Sequence, residues 1–249
     1  MSYTNGLDKP SDYFSTKLYT GNNNTNAQTV GFQPDWVWLK VRSAGSGQDH
    51  TLYDSVRGAT KFIESNTSNA EATGSNYLTS FDSNGFTLGN DQSHVNASGD
   101  TYVSWNWKAG TSFTNDASAT GIGSIDSAGS FNNDSGFSIV SYTGNNTSGA
   151  TLKHGLNTAP AMVIVKNRNR TDNRDWVVYH QKLTSASYYI YLNSTGAMAG
   201  AYANFWNNTA PNSSVITLGS GDTTTNGNGD TYIAYCFAEK QGYSKFGSY

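Results

Sequence analysis

The chain repeats itself, and repetition constrains the fold more than any single motif, since whatever one copy forms the other must form as well. Tyr19-Thr20-Gly21-Asn22 returns as Tyr142-Thr143-Gly144-Asn145, 123 residues later. Pro34-Asp35-Trp36-Val37-Trp38-Leu39-Lys40 aligns with Pro160-Ala161-Met162-Val163-Ile164-Val165-Lys166 at an offset of 126. Leu52-Tyr53 matches Val178-Tyr179 at 126 and Asn66 matches Asn193 at 127. Phe86-Thr87-Leu88-Gly89 and Gly99-Asp100-Thr101-Tyr102-Val103 match Ile216-Thr217-Leu218-Gly219 and Gly229-Asp230-Thr231-Tyr232-Ile233, both at 130. Offsets that only drift upward mean one order of segments with small insertions between them. The expectation is two copies of one domain, residues 18–110 and 137–241, each large enough for its own core. An arm, 1–17, precedes them, and the Ser/Gly/Asn-rich stretch 111–136 links them. Ile122, Ile125 and Phe131 within that stretch point to partial order rather than a free tether. Residues 242–249 repeat the phrase that opens the second copy, which reads as the start of a third repeat or an exchanged strand.

The composition sets the class of both copies. Of the 249 residues only 13% are charged, against roughly 25% in an average soluble protein, while aromatics also reach 13%. Gly, Ser, Thr and Asn replace the missing charge. Disorder would come with few aromatics and high net charge, whereas the formal charge here is −3. Trp36 to Arg42 alternates with period two, Val37, Leu39 and Val41 on one face, Trp36, Trp38, Lys40 and Arg42 on the other. Further strands are predicted at 51–56, 60–64, 77–81, 85–88 and 101–107, then at 162–166, 175–180, 188–192, 214–218 and 231–237. Asp82-Ser83-Asn84-Gly85 carries hairpin chemistry, with Gly85 free to take positive φ. No stretch sustains a 3.6-residue period. The fold expected is all-β, two tandem homologous β-sandwich domains of jelly-roll or lectin-like type.

Several function classes find no support in these residues. The only basic cluster, Lys166, Arg168, Arg170 and Arg174, has Asp172 and Asp175 inside it, unlike the basic stripe that nucleic acid demands. No run of about 18 apolar residues exists to insert in a membrane, and Met1 to Gly6 has no signal-peptide pattern. Cys236 is the only cysteine; inside Tyr232 to Phe237 it reads as a buried small hydrophobe. His50, His94, His154 and His180 share no metal-ligand spacing and read as surface or satisfied core histidines. Neither a nucleophile elbow nor a phosphate-binding loop is present. Paired acids for glycoside hydrolysis would have to come from Glu64, Glu71, Glu239 and aspartates in turn contexts. Asp100 and Asp230 follow Gly at a turn into a strand and read as caps of their own turns. No enzyme activity, cofactor or metal is expected.

The candidate ligand-binding residues lie in the first copy. Trp36, Trp38, Trp105 and Trp107 can stack on sugar rings or fill an inter-layer core. Lys40 and Arg42 share the face of Trp36 and Trp38. Asp54 and Arg57, three apart at a strand end, can hold a polar ligand or, as the plainer reading, form an internal ion pair that fixes the turn at Gly58.

Lys9-Pro10-Ser11-Asp12-Tyr13-Phe14, the segment Gly31 to Lys40, Asp54-Ser55-Val56-Arg57-Gly58-Ala59, His154-Gly155-Leu156, Trp206 to Pro211 and Gly229 to Phe237 together resemble a repeat family of marine tailed phages, of cyanophage and pelagiphage type. The resemblance spans nearly the whole chain apart from 111–136. It implies a virion structural or tail-fibre component, made in the host cytoplasm and carried on the tail or capsid surface, and a longer repeat array. The family has no assigned catalytic or ligand residues to carry over. The function expected on this basis is host attachment: adhesion to a host cell-surface glycan through tandem lectin-like domains, with repetition supplying avidity. Other virion proteins are the expected partners, a homo-oligomer such as a trimer the expected assembly. A capsid-decorating or fibre-spacer protein without ligand is the alternative, a polysaccharide depolymerase the weaker one.

Overall fold

A computed structural model describes residue 7 and residues 9–43, 48–172 and 174–248; Met1 to Gly6 and Tyr249, on which parts of the arm and end readings fall, lie outside them. The chain is all-β, its strands antiparallel and its helices limited to single turns. It divides into two compact units, one of Lys9–Thr67 with Glu71–Gly110, the other built mainly of Thr111–Tyr249.

The amino-terminal unit contains β1 (Phe14–Thr20), β2 (Asn26–Thr29), β3 (Trp36–Val41), β4 (Thr51–Asp54), β5 (Lys61–Glu64), β6 (Ala72–Thr73), β7 (Leu78–Asp82), β8 (Gly85–Leu88) and β9 (Thr101–Trp107). Six of these form a sheet in the order β1-β9-β3-β4-β5-β6, and three form a second, β2-β8-β7. The period-two pattern of β3 decides what lies inside: Val37, Leu39 and Val41 enter the core with Tyr19, Tyr53 and Tyr102 of the first sheet and Leu78, Phe86 and Leu88 of the second. The predicted hairpin joins β7 to β8, pairing Asp82 with Gly85. Gly85 does not take the positive φ expected of it. Its requirement is space, because a Cβ there would lie 1.8 Å from the Gln28 carbonyl oxygen on β2.

The carboxyl-terminal unit contains β10 (Thr111–Asn115), α1 (Ala117–Thr120), β11 (Ser127–Asn132), β12 (Phe137–Thr143), β13 (Ala150–Lys153), β14 (Met162–Asn167), β15 (Val177–His180), β16 (Ile190–Tyr191), α2 (Ala203–Trp206), β17 (Val215–Leu218) and β18 (Thr231–Phe237). Its seven-stranded sheet runs β10-β11-β12-β18-β14-β15-β16, and β13 pairs with β17. Residues 111–136, expected to link the copies, instead contribute β10 and β11 to the edge of this sheet. Ile125, expected to anchor the stretch, is buried in the unit's core with Val140, Leu152, Val163 and Trp206. Beyond β18 the described residues form a turn closed by a Lys240–Ser244 bridge, not a strand.

Matching landmarks occupy matching positions. The series β1-β9-β3-β4 is ordered like β12-β18-β14-β15, and the registers agree residue for residue. Tyr19 faces Tyr102 as Tyr142 faces Tyr232; Val37 faces Asn106 as Val163 faces Cys236. Asn26 faces Leu88 as Ala150 faces Leu218. The two tyrosine pairs stack at 5.1 and 5.0 Å. At the end of each pair sits a fully buried asparagine, Asn96 or Asn226. Asn96 accepts from the Asn22 N–H (3.1 Å) and donates to the carbonyls of Asn24 and Gly89 (both 2.6 Å). Asn226 accepts from Asn145 N–H (3.0 Å) and donates to the carbonyls of Thr147 (3.1 Å) and Gly219 (2.7 Å). The Tyr-Thr-Gly-Asn phrase is thus the loop that wraps this amide. Its glycine is needed for close approach, since a Cβ at Gly21 or Gly144 would come within 2.1 or 2.4 Å of a backbone carbonyl.

Removing either amide strands buried N–H and C=O groups, each costing roughly 1–3 kcal/mol. Asn96→Ala and Asn226→Ala are each expected to lower stability by about 3 kcal/mol in urea titrations, while exposed Asn90→Ala stays within about 0.5 kcal/mol.

Candidate functional site

Register on the amino-terminal sheet gathers the sequence-predicted aromatic residues on the face turned from the core. Trp36 pairs with Trp107 and Trp38 with Trp105 across β3 and β9, and Phe14 of β1 lies beside Trp107. The ring centroids are 4.5 Å apart for Trp36–Trp107, 4.9 Å for Phe14–Trp107 and 6.3 Å, edge-on, for Trp38–Trp105. Phe14, Trp38, Trp105 and Trp107 each keep part of their surface open, while Trp36 is only 1% exposed. His50 closes one side, accepting the Trp38 Nε1–H at Nδ1 (2.9 Å). Burial, and then the neighbouring Lys40 charge, lower its pKa, which suits an imidazole acting as acceptor.

The six candidate residues therefore separate. Trp38 and Lys40 are partly exposed and Arg42 is exposed, so these three reach the surface. Lys40 also donates to the Gln48 carbonyl. Trp36 is buried as the support on which Trp38 and Trp107 lean. Asp54 and Arg57 are wholly buried and turned to each other, Arg57 Nε lying 2.5 Å from Asp54 Oδ2. Arg57 Nη2 also donates to the Leu52 carbonyl (2.9 Å), and its Nη1 lies 3.3 Å from Glu71 Oε2. The pair holds the turn that ends at Gly58, whose N–H reaches the Asp54 carbonyl. That is the plainer of the two readings of Asp54 and Arg57, and neither side chain is open to a ligand here.

The second unit lacks this face. Ile164, Tyr235, Phe237 and Trp176 stand where Trp38, Trp105, Trp107 and His50 stand, and all but Phe237 are buried. The frame beneath is unchanged. Asn66 accepts from His50 N–H and donates to Asp49, as Asn193 accepts from Trp176 N–H and donates to Asp175. Lys166 donates to the Arg174 carbonyl as Lys40 does to Gln48, and burial lowers its pKa to about 8.

Elsewhere the ionisable groups have structural employment. Ser93, His94 and Asp91 resemble a nucleophile, base and acid, but the Ser93 and Tyr77 hydroxyls and the Asp91 carboxylate all converge on one ring nitrogen, Nδ1 of His94. No proton relay through the ring results. Burial opposes ionisation of Asp91, yet hydrogen bonds from His94 and the Ser93, His94 and Val95 N–H groups lower its pKa to about 2. Asp100 and Asp230 do not cap their own turns: Asp100 accepts from Ser43 (3.2 Å), Asp230 from Asn167 (3.2 Å) and Arg170 (2.5 Å). Among the described residues no three of His, Cys, Asp and Glu gather as metal ligands, and no helix is long and apolar enough to cross a membrane.

A family model for a domain of unknown function, DUF7483, matches residues 9–249. The chain belongs to the DUF7483 family. One match therefore spans both units, aromatic face included. No curated protein and no solved structure matches the chain.

Nothing in the sequence marks Phe14 or His50 as part of this face. Phe14 belongs to a strand without clean alternation, and His50 joins the face only through the β3–β4 pairing. His154 shows the opposite case, a histidine with no exposed surface. Its Nδ1 accepts from Leu156 N–H (3.2 Å) and its Nε2 meets the Asn212 carbonyl (3.0 Å). Burial lowers its pKa to about 4, below the ordinary value near 6.5. Between those values the unfolded chain binds the extra proton and the folded chain does not, so this contribution is complete above pH 6.5 and lost as pH falls towards 4. Wild-type stability is expected to drop by up to about 3 kcal/mol over that window, and His154→Gln, measured by urea titration at each pH, is expected to flatten the drop.

Proposed function

We propose that this DUF7483 chain is a non-enzymatic phage virion protein, built by duplication of one two-sheet β-sandwich module, that attaches the particle surface or tail to a host glycan. The duplication is supported by the shared strand order, register and asparagine hubs. The binding reading is carried by one observation: Trp38, Trp105, Trp107 and Phe14 stand partly open on a single sheet face, beside Lys40 and His50 as polar neighbours. Flat aromatic rings with a few hydrogen-bonding groups at their rim match the apolar faces and peripheral hydroxyls of sugar rings. The same face needs no reacting group, consistent with binding rather than turnover. The virion setting rests on the resemblance of the sequence phrases to tailed-phage repeat proteins.

Purified protein is expected to be retained on immobilised host envelope polysaccharide. Trp105→Ala is expected to weaken retention at least tenfold, about 1.4 kcal/mol, with the fold intact by circular dichroism. Failure of the unaltered protein to bind host envelopes, beside a positive control that does bind, overturns the adhesion reading and favours a decorating or spacer role.

A further inference from the structure

We infer a second saccharide subsite in the carboxyl-terminal unit, in a groove walled by the β10–α1–β11 segment. The inference rests on the glycan-binding reading and extends it to a different surface. The groove holds about 790 Å³, a volume in the range of small-molecule sites. Asn115, Asp116, Asp126, Ser141, Thr143 and Asn145 line it. Its floor is therefore the Tyr142-Thr143-Gly144-Asn145 phrase, already held rigid by the Asn226 hub. Its wall has no counterpart among the described residues of the other unit, where only a 3-10 turn at Pro10–Asp12 precedes β1.

The chemistry of the lining selects the ligand. The wall is fixed by its own carboxylates: Asp116 Oδ1 caps α1 through Ala119 N–H (3.0 Å), and Asp126 Oδ1 accepts from Ala117 N–H (2.8 Å). Each Oδ2 has no hydrogen-bond partner among the described residues, so two carboxylate oxygens remain as acceptors for a ligand. No lysine or arginine is among the lining residues; Arg168 reaches only the Ser141 hydroxyl at the edge (3.4 Å), and the two carboxylates repel an anionic group. Thr143 and Thr231 add hydroxyls and Asn145 adds an amide, while the buried Asn115 amide is spent on the Ile122 carbonyl and the Thr120 hydroxyl and only braces the wall. A ligand that offers many O–H donors and no negative charge answers this set, which describes a neutral saccharide. Ala128 sits on the same face of β11, flanked in register by Thr114 and Ser141. Small neighbours leave the space above it open, so a larger side chain there would fill the groove without breaking either carboxylate contact.

Binding to a panel of immobilised neutral bacterial O-antigen and capsular polysaccharides tests the subsite, using the full chain, Ala128→Tyr, Asp126→Asn and Trp105→Ala. Ala128→Tyr and Asp126→Asn are each expected to lower apparent affinity at least tenfold while the thermal midpoint of Ala128→Tyr stays unchanged. Full binding by both groove variants beside loss in Trp105→Ala overturns the groove and leaves the aromatic face standing. No binding by the unaltered protein overturns both. If Ala128→Tyr fails to fold, titration of the wild-type protein with a fragment of the bound polysaccharide decides: shifts of the Gly144 and Asn145 backbone amides are expected, and their absence overturns the subsite.

Discussion

Each unit depends on one side-chain amide sealed from water. A buried asparagine is costly unless its donors and acceptor are all met, and Asn96 and Asn226 meet theirs from two stretches of backbone besides their own. The loop after the first strand, the residue after the β8 or β17 strand and the approach to the β9 or β18 strand are tied at one point. The adjoining tyrosines extend the knot. Tyr19 and Tyr142 donate to the carbonyls of Val95 and Thr225 (both 2.7 Å), while Tyr102 and Tyr232 accept from Ala97 and Gly227 N–H. Wrong registers would leave these groups unpaired in the interior, so the knot selects one strand pairing over its neighbours as well as stabilising it.

On frames held in the same way, the two units carry different side chains. At equivalent positions on the sheet face turned from the core, one unit carries Trp38, Trp105 and His50 and the other Ile164, Tyr235 and Trp176. A change from Trp to Ile at such a position replaces a ring able to stack with an aliphatic side chain that only fills space. The Asn66 and Asn193 contacts beneath are the same in both, so the difference is confined to what the face presents. The units differ in extent as well: β10, α1 and β11 add two strands at one edge of the larger sheet and have no equivalent among the described residues of the other unit.

Much of this was legible in the residues, and the failures have physical causes. Strands with strong alternation or β-branched runs, such as β3, β9, β14 and β18, lie within a residue of where their pattern puts them. The strands β1, β2, β6, β10, β11, β12 and β13 leave no clear mark in the sequence, because Ser, Thr, Gly and Asn carry a weak periodic signal and pairing with a neighbour, rather than propensity, makes them strands. For the same reason the stretch 111–136 reads as a linker, though Ile122, Ile125 and Phe131 hint at its order. The repeated motifs announced that something shared was being held, but the partner of Tyr-Thr-Gly-Asn, an asparagine 74 positions away from Asn22, has no local mark. On the candidate face, sequence spacing placed Trp36 and Trp38 together, whereas their union with Trp105, Trp107 and Phe14 required knowing which strands are neighbours. Burial likewise separated Trp36, Asp54 and Arg57 from Trp38, Lys40 and Arg42, a distinction that period two alone does not make.

Native-state hydrogen exchange tests the central claim, that two equivalent asparagine knots hold two equivalent frames. Loop amides exchange rapidly unless tied into the structure. The account predicts that the amides of Gly21, Asn22 and Asn23 and those of Gly144, Asn145 and Asn146 are protected to a comparable extent, near that of the central strands. Exchange of either set at the rate of an exposed turn, with the flanking strands still protected, would contradict it.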